Sequence, residues 1–388
     1  MAEQKKGALL ELLREMEKQG IDENNAVRHR VFGKYIDETS RIQGVPRMGV
    51  FELTPLCNLD CRMCYVHLDR EQMRGQKLIT GEQWISLMEQ AIDRGMMYAQ
   101  LSGGEAMMHP DFERIYRYLY ERGIQITVMT NGILLDGKRM ELFLQHPPTA
   151  IQMTMYGGSE ETYERVTGHR VYERVKGNLL RAKEINCRLT VTATPSRYFG
   201  AKDVAAVRAF CRENDLTLKI NADLNDAREE TGRALREFNL PEEEYMEIRR
   251  QMVPEEMRKP VKQELLPPPG NAKEPAYGFQ CGAGRSLFCV KWNGNMQACL
   301  DVPYAEKPFE IGFDEAWDRI HSFAVNYEIP RECQGCPYRS VCSICPVLHG
   351  QNAPKGHVDR SICERTRKLV QEGIRVLPEN RENSLEKV

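Results

Sequence analysis

The chain has 388 residues, enough for one large domain with a smaller one beside it. Its 41% hydrophobic and 28% charged residues are ordinary for a globular protein, and a net charge of −2 gives no bulk attraction to nucleic acid or an anionic membrane. No run reaches the roughly 18 apolar residues of a membrane span, and the charged start MAEQKKGALLELLREMEKQG is no signal peptide, so a cytoplasmic location is expected.

In chain order, residues 1–45 read as one or two helices, with Leu9, Leu10, Leu13 and Met16 at helical spacing. Residues 46–250 alternate strand and helix. Strands are predicted over 48–54, 98–102, 125–130, 150–156, 188–194 and 217–222. Helical patterns such as GEQWISLMEQAIDRG, PDFERIYRYLYERG, GNLLRAKEIN and AKDVAAVRAFCREN lie between them, with Thr80 as a cap and Gly95 and Gly123 past helix ends. Six β-then-α units imply a parallel sheet with right-handed crossovers. A partial (β/α)6 TIM-like barrel and a doubly wound open sheet both fit this periodicity, and both place the site at the strand C-terminal ends. A charged helical stretch, 241–258, follows, and residues 251–276 with KQELLPPPGNAKEP read as a Pro-rich linker. Residues 277–370 carry cysteine clusters and little expected regular structure, and 371–388 read as a polar tail.

Thirteen cysteines in such a chain argue for metal rather than disulfides. Only Cys187 and Cys211 stand outside clusters with ligand-like spacing, and core packing is the simpler role for both. Cys57, Cys61 and Cys64 form C-x3-C-x2-C directly after an apolar stretch, GVFEL. Three thiolates are one short of a four-iron cluster, leaving one iron open, and an open position is where chemistry occurs. A structural zinc site would need a fourth Cys or His in a paired arrangement, and none stands here. One βα unit later comes LSGGEAMM. Gly103 and Gly104 permit close backbone approach to a ligand, and Glu105 can accept from an ammonium.

The segment LTPLCNLDCRMCY followed by Gly-Gly-Glu resembles the radical S-adenosylmethionine (SAM) enzymes. The resemblance covers residues 48–370 and favours the partial barrel. It implies that Cys57, Cys61 and Cys64 ligate a catalytic [4Fe–4S] cluster whose fourth iron binds SAM. An electron then cleaves SAM to a 5′-deoxyadenosyl radical that takes a hydrogen atom from substrate. It also implies that Gly103, Gly104 and Glu105 hold the SAM amino group. Met63 stands where an aromatic residue usually contacts adenine. Asn131, Thr154 and Thr192, at successive strand ends, are candidates for SAM contact, with turn chemistry the plain alternative for the Asn-Gly pair. Tyr156 is a candidate for the substrate pocket or the core.

The C-terminal cysteines, Cys281, Gly294-x4-Cys299, Cys333-x2-Cys336-x5-Cys342-x2-Cys345 and Cys363, resemble the SPASM extension. That resemblance implies two auxiliary [4Fe–4S] clusters. Cys333, Cys336, Cys342 and Cys363 would hold one; Cys281, Cys299 and Cys345 would hold the other, with Cys289, in SLFCVKW, either a fourth ligand or a buried strand thiol. Read alone, CxxC-x5-CxxC is also zinc-like. Asp301 lies close to the second group and is either a base or a solvated turn residue.

The expected function is hydrogen-atom abstraction from a peptide or protein side chain, giving a cross-link or an oxidised residue. The alternatives are the same chemistry on a small molecule or sugar, and a non-catalytic iron–sulfur electron-transfer protein. The expected partner is a flavodoxin- or ferredoxin-type reductant; neither nucleic acid nor membrane is expected. Residues 1–45 being short for a leader-binding domain, either a separate leader-binding protein captures the substrate, the barrel mouth recognises it, or it is not a leader peptide.

Overall fold

The computed structural model of the protein describes residues 25–69, 71–224, 235–267, 277–279, 281–342, 345, 358 and 360–377. The expected apolar helical pattern of Leu9 to Met16 lies outside them. Asn25–Gln43 is a helix (α1). Then come β1 (Met48–Glu52), α2 (Gly81–Asp93), β2 (Tyr98–Ser102), α3 (Phe112–Glu121), β3 (Gln125–Thr130), α4 (Gly137–Gln145) and β4 (Ala150–Met155). They are followed by α5 (Glu160–Thr167), α6 (Tyr172–Ala182), β5 (Arg188–Ala193), α7 (Ala201–Glu213), β6 (Thr217–Ile220) and α8 (Glu242–Met252).

All six strands are parallel neighbours in order, β1 to β6, as right-handed βα units require. The sheet has two free edges, so it is a barrel left open. Its outer face is apolar and buried against the helices: Phe51, Leu101, Val128, Met153 and Val191 belong to one core cluster. The alternate residues Gln100, Met129, Thr154 and Thr192 face inward and are only partly buried. This layout fits a barrel covered outside and left polar inside.

Local signals set the helix ends. Thr80 and Gln83 form a reciprocal capping box at α2: Gln83 N–H donates to Thr80 Oγ1 at 3.3 Å, and Thr80 N–H donates to Gln83 Oε1 at 3.0 Å. Gly168, at φ 75°, ends α5 in a left-handed turn.

The C-terminal residues are more regular than their sequence suggested. Leu287–Val290 (β7) adds to β1 in parallel, and Met296–Gln297 (β8) and Ala305–Glu306 (β9) continue antiparallel, giving nine strands in the order β6-β5-β4-β3-β2-β1-β7-β8-β9. Pro308–Ile311 (α9), Phe313–Asn326 (α10) and Arg360–Gln371 (α11) are helical. Aromatic packing locks β7 and α10 to the barrel. Phe288 meets Phe51 at 5.7 Å and Phe313 at 5.0 Å, edge to face. Trp317 Nε1 donates to Gly44 O at 2.8 Å. No helix among the described residues is long and apolar enough to cross a membrane.

Candidate active site

The loop after β1 carries the first cysteines. It is pinned from three sides by backbone hydrogen bonds: Gly104 N–H to Thr54 O at 2.7 Å, Glu105 N–H to Leu56 O at 2.9 Å, and Asp60 and Arg62 N–H to Thr167 O and Val166 O at the end of α5. Cys61 is buried, and Cys57 and Cys64 are half-buried. Burial pushes the Cys57 thiol up to about 12, with Glu105 and Cys64 adding to it, while the Leu59 N–H and the Asn131 amide oppose. Burial also pushes Cys61 well above its ordinary value, helped by Cys64 and Cys57, and the Tyr156 hydroxyl hydrogen-bonds this sulfur. The three thiols therefore stand together as mutual electrostatic neighbours. As thiols Cys57 and Cys61 keep their protons at neutral pH; metal binding must displace those protons.

The Gly-Gly-Glu turn packs on this loop. A Cβ on Gly103 (φ +147°) would meet Thr54 O at 2.4 Å. Glu105 is 1% exposed. Its carboxylate accepts from Thr130 Oγ1 and Asn131 N–H, both at 2.9 Å, and from Met107 N–H at 3.3 Å. Burial raises its pKa to about 7, and those hydrogen bonds partly offset the rise. Glu105 thus ties the ends of β2 and β3 together beneath the cysteines.

Asn131 Nδ2 lies 3.5 Å from Cys57 Sγ and 2.7 Å from Asn58 Oδ1. The His67 N–H reaches Cys64 Sγ at 3.2 Å. Thr154 and Thr192 are register partners on the inner face, and the Thr192 hydroxyl is buried without a hydrogen-bond partner. Such an orphaned hydroxyl is what a bound ligand would satisfy. Met63 is 6% exposed and packs into the main apolar core. The residues brought together are therefore Cys57, Cys61, Cys64, Gly103, Gly104, Glu105, Asn131 and Tyr156.

Several neighbours were passed over in the sequence. Asn58 pairs with the Asn131 amide, and the His67 N–H donates to Cys64. Glu52 and Lys291 are buried at the C-terminal ends of adjacent strands β1 and β7. The Thr-Asn-Gly at the end of β3 was a usable signal; a buried Lys after a four-residue strand was not.

The remaining cysteines separate into two groups that do not follow chain adjacency. The Cys333 thiol is pushed up to about 12 by burial and then by Cys342, Cys363 and Cys336. The Cys299 thiol rises to about 12 through burial, then Asp301, Cys345 and Cys281. Asp301 Oδ2 is 3.8 Å from Cys299 Sγ. Cys345 thus stands beside Cys299, away from a plain CxxC-x5-CxxC arrangement. Cys289 is 2% exposed in the middle of β7, paired with Val50 and Gln297. Cys211 is buried on α7 and Cys187 packs half-buried against the core. Among the described residues, no three His, Cys, Asp or Glu side chains converge to hold a single metal ion.

A parallel barrel left open, with three thiols at the mouth over a Gly-Gly-Glu turn, defines a class. Residues 51–211 match the family described as Radical SAM superfamily. Residues 51–211 are thus a radical SAM domain, which implies an enzyme with a [4Fe–4S] cluster and SAM. The grouped thiols and the orphaned Thr192 hydroxyl fit that pair of cofactors.

Among its relatives, a PqqA peptide cyclase from Granulibacter bethesdensis is 33% identical over 32% of this chain, and the match spans a third of that relative's length (33%). The subtilosin biosynthesis protein AlbA of Bacillus subtilis is 24% identical over 88% of this chain and 75% of its own. The structure of Streptococcus suis SuiB bound to precursor peptide SuiA shares the fold with a TM-score of 0.61, at 15% identity, covering 88% of this chain and 82% of that one.

Proposed function

We propose that this enzyme uses SAM to abstract a hydrogen atom from a peptide or protein side chain, leading to a cross-link or an oxidised residue. The observation that carries the radical chemistry is the meeting of Cys57, Cys61 and Cys64 with Glu105, Asn131 and Tyr156 at one barrel mouth. When bound, the cluster supplies the electron that cleaves SAM to a 5′-deoxyadenosyl radical. The chain's own part is to bind, orient and exclude water. Cys57, Cys61 and Cys64 would hold the cluster by three sulfurs, which would leave one iron for SAM. The Gly103–Glu105 backbone lies against the cysteine loop, where it can meet the SAM amino group. Thr154 and Thr192 offer hydroxyls on the inner face, and Met63 offers a polarizable surface for adenine.

The peptide substrate is supported by the relatives, named for a peptide cyclase and for subtilosin biosynthesis, and by SuiB, solved with its precursor peptide. Two auxiliary clusters are proposed, one on Cys333, Cys336, Cys342 and Cys363, the other on Cys281, Cys299 and Cys345. Cys289, held mid-strand, is left outside the second set. A flavodoxin- or ferredoxin-type protein would supply electrons.

The test is anaerobic reconstitution, with iron and sulfide counted, followed by dithionite, SAM and an assay for 5′-deoxyadenosine. The expected result is about twelve irons per chain with deoxyadenosine formed. Replacing Cys57, Cys61 and Cys64 together by Ala should abolish cleavage and remove about four irons. Cleavage that survives this triple change would sink the assignment.

A further inference from the structure

Asn131 is 4% exposed at the end of β3. Its Oδ1 accepts the Ile133 N–H at 3.0 Å, which turns the amide NH2 toward the cysteine loop. That NH2 has two protons. One is taken by Asn58 Oδ1 at 2.7 Å, and the other is directed at Cys57 Sγ at 3.5 Å. Both donors are committed, so none remains for a nucleotide. The Asn131 backbone N–H meanwhile donates to the buried Glu105 carboxylate at 2.9 Å. One residue therefore links the Cys57 sulfur to the Gly-Gly-Glu turn.

We propose that Asn131 is a positioning residue that acts through Cys57, its N–H···S hydrogen bond raising the reduction potential of the cluster on that sulfur. The inference rests on reading Cys57, Cys61 and Cys64 as cluster ligands. Reduction adds one electron from an external low-potential reductant, and the added negative charge spreads onto the sulfurs. A donor aimed at a sulfur stabilises the reduced form more than the oxidised one, so the potential rises. Cys64 receives a backbone donor, from His67 at 3.2 Å, that side-chain substitution does not remove. Cys57 also receives a backbone donor, from Leu59, but there Asn131 adds a side-chain donor that substitution can remove, and it opposes the carboxylate of Glu105 nearby. Removing it should make the cluster harder to reduce.

The experiment is a redox titration of the reconstituted full chain, followed by electron paramagnetic resonance without SAM, for wild type, Asn131→Leu and Asn131→Asp. Leu removes the donor at similar volume. Asp keeps the acceptor for Ile133 and adds negative charge. The expected result is a lower midpoint for the cluster of Cys57, Cys61 and Cys64 in Leu, a lower one still in Asp, and unchanged auxiliary midpoints. An unchanged midpoint with weakened SAM binding would make Asn131 a SAM contact and overturn the proposal. Loss of that cluster from both variants, with circular dichroism intact, would reduce Asn131 to a loop anchor and overturn it equally. Should the wild type hold no iron that the triple cysteine change removes, the cluster reading itself fails, and that control tells the two failures apart.

Discussion

A Cβ on Gly104 would stand 2.5 Å from Leu56 O and 2.6 Å from Pro55 O, with backbone on both sides and no flexible side chain to yield. The atoms in the way belong to the residues just before Cys57. Gly104→Ala must therefore push the cysteine loop itself. Overpacking of this kind costs about 1–3 kcal/mol, small against what the cofactor site would lose. The expected outcome is a protein that stays folded by circular dichroism but retains about four fewer irons per chain and makes at least about tenfold less deoxyadenosine, equivalent to about 1.4 kcal/mol. Wild-type iron content would show that the loop tolerates the shift. At this scale the sequence was informative about chemistry and silent about partners. Cys57, Gly103 and Glu105 were readable because the chemistry demands those residue types at those spacings. The Glu105 carboxylate bonding to Thr130 and Asn131 was not, because it joins residues 25 and 26 positions apart across two strands.

The same contrast holds for elements. Strands 98–102 and 125–130 match their expected bounds, and the other four barrel strands differ by a residue or two at the ends. Apolar runs between capped helices make such strands legible. Helices α4 and α5 went undescribed: each is short, nine and eight residues, with only two and four buried positions. Strand β7 was legible only in part: SLFCVKW suggested a buried strand thiol at Cys289, which the structure shows, but not where the strand pairs. Four apolar residues carry no period of their own, and their partner, β1, lies far back in the chain. The helix that covers it did carry a signal, with Phe313, Ala316, Trp317, Ile320 and Ala324 buried at helical spacing. Because β7 hydrogen-bonds to β1, and Phe288 is packed between Phe51, Phe313 and Trp317, the C-terminal elements and the barrel share a core. Phe288→Ala should cost about 3–5 kcal/mol, and the whole chain should lose this in one transition. Denaturation followed by far-ultraviolet circular dichroism and by tryptophan fluorescence, which reports Trp84, Trp292 and Trp317, would show coincident curves at lower denaturant. Separate curves would mean that the C-terminal elements unfold by themselves.

Over the whole molecule, ten of the thirteen cysteines form three groups, and the grouping ignores chain adjacency at one decisive place. Cys345 follows Cys342 by three positions, yet Cys345 acts on Cys299 while Cys342 acts on Cys333. Tyr327 stands between, raised by burial and then by both Cys345 and Cys333. A zinc ribbon would need Cys333, Cys336, Cys342 and Cys345 around one ion. The two proposed clusters, with Cys345 crossing over, match this grouping. The two arrangements respond differently to one substitution. With zinc, Cys345→Ala should disrupt the single site holding all four cysteines, leaving iron content unchanged. With clusters, it should weaken only the Cys281–Cys299 group, lowering iron from about twelve toward about eight per chain. The spectra of the cluster at Cys57 and of the one at Cys333 should be unchanged. Cys333→Ala should remove the complementary four, and Cys289→Ala should remove none. Iron that falls equally with Cys345→Ala and Cys333→Ala, with the same spectral component lost, would place both residues on one centre.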